Sequence, residues 1–304
     1  MLLNLPSLPH PILYVPTIYD DPRYFDKLFA LWHDIQHLPE SQLDIAIDFH
    51  YCEFLGHNGV AFLGGLIRLI EFRGGRVTFD WESLPRKIHM NLAQNGFLCD
   101  FGCNLNPWDG NSIPYRCDLQ HEPNAIADYL RYKWLGKGWV NISPALQEAI
   151  TGQTSEIYLN AFEHSRSEIG VFSCGQHYPY MGVLQLTVID FGIGIPNSVR
   201  SLPMNSTKSA TEALTWAFLP GNTTKQDDIC GGSGLSLLQE FVTKNHGNLM
   251  IFSNDGCVTI DDNGMRCEDK CTNFSGALVN IAFGCDESYY CLASEISDFE
   301  KPWF

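Results

Sequence analysis

The first hundred residues alternate between strand-like and helix-like patterns of apolar side chains. Residues 43–50 alternate apolar and polar positions, which is typical of a half-buried strand. Apolar residues then recur at helical spacing until the glycine pair at 74–75, which ends that helix; the helical positions are Val60, Leu63, Leu66, Ile67 and Ile70. Residues 76–81 predict a second strand, and Ser83 starts a second helix that stops near Asn95. This order predicts neighbouring parallel strands with helices packed on the sheet.

The second half of the chain follows a stretch rich in turn-forming residues. Residues 98–122 contain Gly, Pro, Asn and Asp in clusters, so we predict an irregular connection there. The helices predicted after it are 124–134, Ser143-Pro144 to His164, 211–218, and a helix from Gly234 to Asn245, and the predicted strands are 184–189, 249–253 and 277–283. The predicted organisation is a domain of residues 1–105, a linker of residues 106–122, a second domain of residues 123–288 and a tail of residues 289–304.

Three polar residues lie at four-residue intervals along the helix predicted for residues 144–164. Glu156, Asn160 and His164 therefore share one face of that helix. A carboxylate and an amide on one face suit Mg²⁺, which keeps several water ligands, and Glu156 could act as a general base on such a water. A polar stripe that only faces solvent explains the same pattern.

An acidic residue and two glycines follow directly on the strand predicted for residues 184–189. They are Asp190, Gly192 and Gly194. The glycines allow the backbone to approach a flat ligand closely, and the carboxylate can accept a hydrogen bond from an exocyclic amine. An ordinary strand exit closed by an Asx turn explains the same residues.

A glycine-rich segment precedes the predicted helix that ends at Asn245. Gly231, Gly232 and Gly234 leave the free N–H groups and the positive end of that helix open to a phosphate. The chain contains no G-x-x-x-x-G-K-[ST] loop. Its two glycine groups lie about 40 residues apart, which does not fit a Rossmann dinucleotide-binding turn.

The order of these three segments resembles the ATP-binding domain of the GHKL superfamily, which includes histidine kinases, gyrase, Hsp90, MutL and anti-sigma-factor serine kinases. Residues 156–164 (EIYLNAFEH) are similar to its N box and residues 188–196 (VIDFGIGIP) to its G1 box. Residues 231–238 (GGSGLSLL), followed by Asn245-His-Gly247, are similar to its G2 box. The resemblance covers roughly residues 140–285.

The resemblance implies a role for each of these residues in binding ATP and Mg²⁺. Asn160 would coordinate Mg²⁺, Glu156 would be the base or would position the water, and Asp190 would bind the adenine amino group. Residues 220–230 would form a mobile lid over the nucleotide. The other cofactor-binding residues implied are Gly192 and Gly194 against adenine, Gly231, Gly232, Gly234 and Leu235 at the phosphates, and Thr224 and Lys225 in the lid.

The resemblance also implies the fold of the second domain, a Bergerat α/β sandwich with helices on one face of a mixed sheet. One departure concerns the last strand, where the superfamily often carries Gly-Thr and the threonine hydroxyl helps to hold adenine. Here Gly276 is followed by Ala277, so that contact is missing or is supplied by Ser275.

The N-terminal half resembles the STAS domain of anti-sigma-factor antagonists over residues 42–97, with its strand, turn ending in Gly59, helix, strand and helix. The resemblance implies a βαβα module, so the fold class expected for the whole chain is α/β. In that family a serine just before the position of Gly59 is phosphorylated by a partner kinase, whereas residues 55–59 (LGHNG) carry no hydroxyl. We therefore expect a docking or structural module rather than a kinase substrate.

Composition and charge argue against several other classes of protein. The net charge of −16 over 304 residues repels phosphate backbones, so we expect no nucleic-acid partner. No apolar run reaches the roughly 20 residues of a membrane helix, and residues 1–16 lack the features of a signal peptide, so we expect a cytoplasmic protein with no membrane partner. The eleven cysteines lack paired C-x-x-C spacings, which favours reduced thiols and leaves zinc binding open.

These features predict an ATP-dependent regulatory protein. In this reading the lid closes over Mg-ATP and changes the affinity for a protein partner, and hydrolysis resets the switch. Two alternatives stay open: a serine/threonine protein kinase of the anti-sigma type that acts on a separate protein, and a nucleotide-sensing scaffold without turnover. A histidine kinase is disfavoured, because no phospho-acceptor helix pair precedes residue 140. The resemblance leaves a homodimer open.

Overall fold

A computed structural model describes residues 11–219, 222 and 235–299 of the chain. The strands are β1 Ile12–Tyr14, β2 Ile45–Asp48, β3 Val77–Asp80, β4 Ser112–Asp118, β5 Val171–Tyr178, β6 Val183–Asp190, β7 Asn248–Asp261 and β8 Gly264–Gly284. The helices are α1 Phe25–His37, α2 His57–Phe72, α3 Arg86–Gln94, α4 Phe97–Asp100, α5 Pro123–Asp128, α6 Pro144–His164, α7 Ile195–Arg200, α8 Ala210–Phe218, α9 Ser236–Lys244 and α10 Ala293–Phe299. A six-residue π-helix, Tyr129–Trp134, continues α5. The fold is therefore mixed α/β.

The N-terminal half contains a three-stranded parallel sheet in the order β1-β2-β3. The strand–helix–strand–helix order predicted for residues 43–95 is confirmed by β2, α2, β3 and α3. Gly74, which follows α2, has φ of +84°, a conformation that glycine adopts without strain. The apolar spacing and the glycine pair that follows it were therefore sufficient to locate α2 in the sequence.

The C-terminal half contains a five-stranded sheet in the order β4-β5-β6-β8-β7. The mixed sheet expected there is wrong for the described strands, because all four strand pairings are antiparallel. The local reason is that β5 and β6 are joined by a four-residue turn, 179–182, and β7 and β8 by residues 262–263. Antiparallel neighbours can be joined by such short turns, whereas parallel ones need a longer crossover.

One of the two edge strands of this sheet lies inside the segment predicted as a linker. Residues 112–118 form β4, which pairs with β5. Pro114 lies within β4, and the register shifts between Ile113 and Arg116. Proline and a bulge are tolerated on edge strands, and both conceal a strand in the sequence.

The antiparallel sheet is covered on both faces, and its second face is covered by helices of the N-terminal half. One face packs on α6 and α9, and the residues of this α6-side core include Val171, Leu186, Val188, Val279 and Ile281. The other face packs on α1 and α2, and the residues of this α2-side core include Phe172, Cys174, Ile189, Phe274 and Leu278. The reason is that α2 is buried along most of its length, since it lies between the antiparallel sheet and the parallel one.

Within the described residues, no helix combines the length and the apolar character that crossing a bilayer would require.

Candidate functional site

The polar face of α6 is the first part of the candidate site. The helix begins as predicted, with Pro144 in its first turn and the Ser143 hydroxyl accepting a hydrogen bond from Leu146 N at 3.0 Å. Glu156 and Asn160 are both exposed, one turn apart. They are therefore free to meet a ligand from solvent, as the predicted stripe requires.

A third residue of the same face connects α6 to α9. The side-chain oxygen Oε1 of Gln153 accepts a hydrogen bond from Leu238 N, in the first turn of α9, at 2.6 Å. The residue before α9, Leu235, makes no side-chain capping bond, so the cap comes from another helix. Sequence reasoning missed Gln153; its only signal was its position three residues before Glu156.

The start of α9 lies next to this polar face. Because the first turn of a helix carries partial positive charge, it favours an anion near the Gln153 end of α6. Leu235 is half-buried against the α6-side core. The other residues predicted at the phosphates and in the lid lie outside the described residues; they are Gly231, Gly232, Gly234, Thr224 and Lys225.

Asp190 is the last residue of β6 and is 4% exposed. Burial raises the pKa of its carboxyl to about 7, while hydrogen bonding to Gly192 N, the Ser165 hydroxyl and Ala277 N opposes that rise. Its Oδ1 atom accepts from Gly192 N at 2.9 Å, which is the Asx turn expected as the alternative to a ligand site. This Asx turn leaves the Asp190 carboxylate able to contact a ligand as well, because a carboxylate accepts several hydrogen bonds.

The two glycines of the loop after Asp190 are set by contacts within the protein. A Cβ atom on Gly192 would lie 1.9 Å from the carbonyl oxygen of Ser165, the residue that ends α6. Gly194 has φ of +83°, which disfavours any side chain. Ile193 N also donates to Ser165 O at 2.6 Å. The loop after β6 is thus packed directly on the C-terminal end of α6.

Strands β7 and β8 fix the same loop from the other side. The Ser253 hydroxyl accepts from Ile195 N at 2.8 Å, and the Asn254 amide donates to Ile193 O at 3.1 Å. Ser275, the hydroxyl considered for adenine, donates to Gly192 O at 3.0 Å. Both strands therefore hydrogen-bond to the loop backbone, and the Ser275 hydroxyl contacts the loop at Gly192.

Helix α6 is the element that brings the predicted segments together. Its Gln153 contacts the start of α9, its C-terminal end contacts the Asp190 loop, and Glu156 and Asn160 lie between the two contacts. A buried acid, Asp190, an exposed acid, Glu156, and an exposed amide, Asn160, are thus carried by α6 and the loop that packs on it.

Residues 11–219, 222 and 235–299 contain no cluster of metal-binding side chains. No three His, Cys, Asp or Glu side chains are grouped there so as to hold a metal ion. The described cysteines are free thiols, including the spaced pair Cys99 and Cys103.

Comparison with known proteins adds no assignment: no protein-family model matches the chain, and no curated protein sequence matches it.

Proposed function

We propose that the C-terminal half binds ATP with Mg²⁺ in the region between α6, the start of α9 and the Asp190 loop. The chain would act as a regulatory protein whose nucleotide state changes its affinity for a protein partner, with ATP hydrolysis as the reset. The proposal belongs with the GHKL resemblance and rests on one observation: a single helix contacts both the glycine-preceded start of α9 and the loop of Asp190.

The order of groups along α6 supports this proposal. Gln153 and Ser165 are separated by about 18 Å along the helix axis at 1.5 Å per residue, a span on the order of an extended nucleoside triphosphate. The buried acceptor lies near the Ser165 end and the helix N-terminus near the Gln153 end. A nucleotide laid along α6 would place its base at Asp190 and its phosphates at α9.

Each polar group then has a stated task. Asp190 accepts a hydrogen bond from the adenine amino group, and its burial makes that contact selective, since an unpaired buried acceptor is costly. Asn160 supplies one oxygen ligand to Mg²⁺, whose charge would offset that of the phosphates. Glu156, closer to the phosphate end, would hold the water that attacks the terminal phosphorus and would accept its proton, while the bond from that phosphorus to the bridging oxygen breaks and ADP leaves.

Binding and turnover are tested separately. Isothermal titration of the full chain with ATP, with and without Mg²⁺, measures binding, and phosphate release measures hydrolysis. We expect Glu156→Gln to keep ATP affinity within about twofold and to lower phosphate release by about 100-fold or more. Glu148→Gln is the matched control, because Glu148 lies on the same helix but pairs with Arg131 at the π-helix.

Several outcomes separate the alternatives. A folded wild type that binds neither ATP nor ADP refutes the proposal. Binding with no turnover, alone or with a partner, favours the scaffold. Transfer of the γ-phosphate to a second protein, with little free phosphate, favours the serine/threonine kinase.

A further inference from the structure

Phe191 lies between the proposed adenine ligand Asp190 and Gly192, but its side chain belongs to the opposite face of the sheet. Along β6, Val188 belongs to the α6-side core and Ile189 to the α2-side core. Side chains alternate between faces along a strand, so Asp190 continues the α6 side and Phe191 the α2 side. Phe191 indeed packs against the α2-side core. The peptide unit between Asp190 and Phe191 thus connects the α6 side of the sheet, where the nucleotide is proposed to bind, to the α2 side.

The Phe191 ring is enclosed by aromatic side chains from three elements. Its centroid lies 5.2 Å from that of Phe62 in α2, 5.9 Å from that of Phe172 in β5 and 5.4 Å from that of Phe274 in β8. Aromatic pairs at these separations are stabilising beyond the area they bury. The Phe191 ring is therefore held chiefly by aromatic side chains of the α2-side core.

The backbone of α2 comes closest to the ring at Gly65. A Cβ atom on Gly65 would lie 2.1 Å from Cε2 and 2.8 Å from Cζ of Phe191, and 2.9 Å from Cδ2 of Phe172. The neighbouring Gly64 is equally buried, but a Cβ there would meet the end of the Tyr115 side chain at 2.3 Å instead. Two adjacent glycines of one helix thus contact different partners, of which only one belongs to the loop of Asp190.

A second contact fixes the start of α2 on the same sheet. The ring of His57, the first residue of α2, places Nε2 3.1 Å from Asn280 Oδ1 in β8, and the Thr187 hydroxyl of β6 donates to the same oxygen at 2.8 Å. On its other side, His57 Nδ1 lies 2.8 Å from Asp20 Oδ1, both side chains being buried. These contacts fix the position of α2 relative to β6, and hence to Phe191.

We propose that Phe191 is a positioning residue through which α2 sets the conformation of the Asp190–Gly194 loop, so that the N-terminal half controls the affinity and base selectivity of the nucleotide site. This inference rests on the proposed function. A displacement of α2 along or away from the sheet moves Phe191, and the peptide between Asp190 and Phe191 moves with it. A partner that shifts α2 would therefore change nucleotide binding without touching the nucleotide.

The test compares Gly65→Ala with its matched control Gly64→Ala in the full chain, using ATP and GTP as probes. GTP carries a carbonyl where ATP carries the amine that Asp190 would accept. We expect Gly65→Ala to raise the dissociation constant for ATP about tenfold or more and to move the ATP-to-GTP ratio towards one. Gly64→Ala should keep both values within about twofold, because the displaced Tyr115 does not belong to the loop.

Phe191→Leu and the double variant separate positioning from a general loss of packing. Leucine lacks the Cε2 and Cζ atoms of Phe191 that the new Cβ would meet, whereas Cδ2 of Phe172 still lies 2.9 Å from that Cβ. The combined effect of Gly65→Ala and Phe191→Leu on ATP affinity should therefore be smaller than the sum of the two single effects. Full additivity of the two effects overturns the inference. If Gly65→Ala does not fold, a folded Phe191→Leu with wild-type affinity and wild-type ATP-to-GTP ratio overturns it equally. A wild type that binds no nucleotide refutes the proposed function, and this inference with it, whereas wild-type behaviour of Gly65→Ala refutes only this inference.

Discussion

Replacing Asp190 by asparagine should stabilise the fold at neutral pH while it weakens ATP binding. Burial raises the pKa of the Asp190 carboxyl from 3.8 to about 7, so the folded protein holds this proton more tightly than the unfolded chain does. Between these two values, folding takes up a proton, and stability falls as pH rises. Asparagine keeps the shape and the oxygen that accepts from Gly192 N, but cannot ionise.

The magnitude follows from the two pKa values. A difference between 3.8 and about 7 corresponds to about 4 kcal/mol of lost stability once Asp190 is fully ionised, that is above about pH 7. Relative to Asp190→Asn, the wild type should lose about 1.4 kcal/mol for each pH unit between about pH 4 and 7. Local solvation of the ionised carboxylate would reduce the effect, so 4 kcal/mol is an upper value.

Urea unfolding followed by circular dichroism at several pH values between 5 and 8 measures the difference. Asp118→Asn is the matched control: Asp118 is also buried, but it is paired with Arg116 through Oδ1 and Nη2 at 2.5 Å. Losing that charge-assisted pair should destabilise the protein by about 2 kcal/mol. If Asp190→Asn shows the same pH dependence as the wild type, or is less stable than the wild type at pH 8, the assignment of a costly buried carboxyl is refuted.

The same titration predicts how ATP affinity depends on pH. The ionised carboxylate is the stronger acceptor for the adenine amine. Wild-type affinity should therefore rise between pH 6 and 8, whereas Asp190→Asn should bind more weakly and with little change over that range. A wild-type affinity that is flat with pH contradicts the adenine contact.

Three further perturbations test the packing that surrounds the site. His57→Ala should lower the free energy of unfolding by about 1–3 kcal/mol in urea titrations, because it removes the buried ring that contacts Asn280 and lies beside Asp20; an unchanged midpoint would contradict the importance of these contacts. Gly192→Ala should prevent stable folding or displace α6, whereas Gly152→Ala, at an exposed helical position with open space around it, should stabilise by about 0.5–1 kcal/mol. A chain that starts at residue 123 should aggregate in size-exclusion chromatography, because it lacks β4 and exposes the α2-side core; a monodisperse, cooperatively unfolding fragment would refute that.

Local signals in the sequence predicted the elements around the site, but their partners could not be predicted. Ser143-Pro144 located the start of α6, and the apolar spacing located α2. The apolar residues of α2 extend around the helix, which indicates burial without showing that two sheets cover it. The short edge strand β4 was missed because Pro114 and a register shift interrupt its pattern.

In the candidate site, too, local sequence patterns placed individual residues but could not predict their contacts. The spacing of Glu156 and Asn160 was enough to place both on the exposed face of α6. The contact of Gln153 with α9 joins residues 85 positions apart, and no periodicity carries such information. No role was predicted for Phe191 from the sequence, because the face of the sheet that a side chain meets depends on strands and helices contributed by distant parts of the chain.

The buried Asp190 and the aromatic packing of Phe191 have opposite effects on stability within one loop. An ionised carboxylate in this position favours opening of the loop towards water at neutral pH. The adjacent ring, held between α2 and β8, opposes that opening, because exposing it would remove a large aromatic surface from the core. The packing of the N-terminal half on Phe191 therefore offsets part of the free-energy cost of burying the Asp190 carboxylate in the same loop.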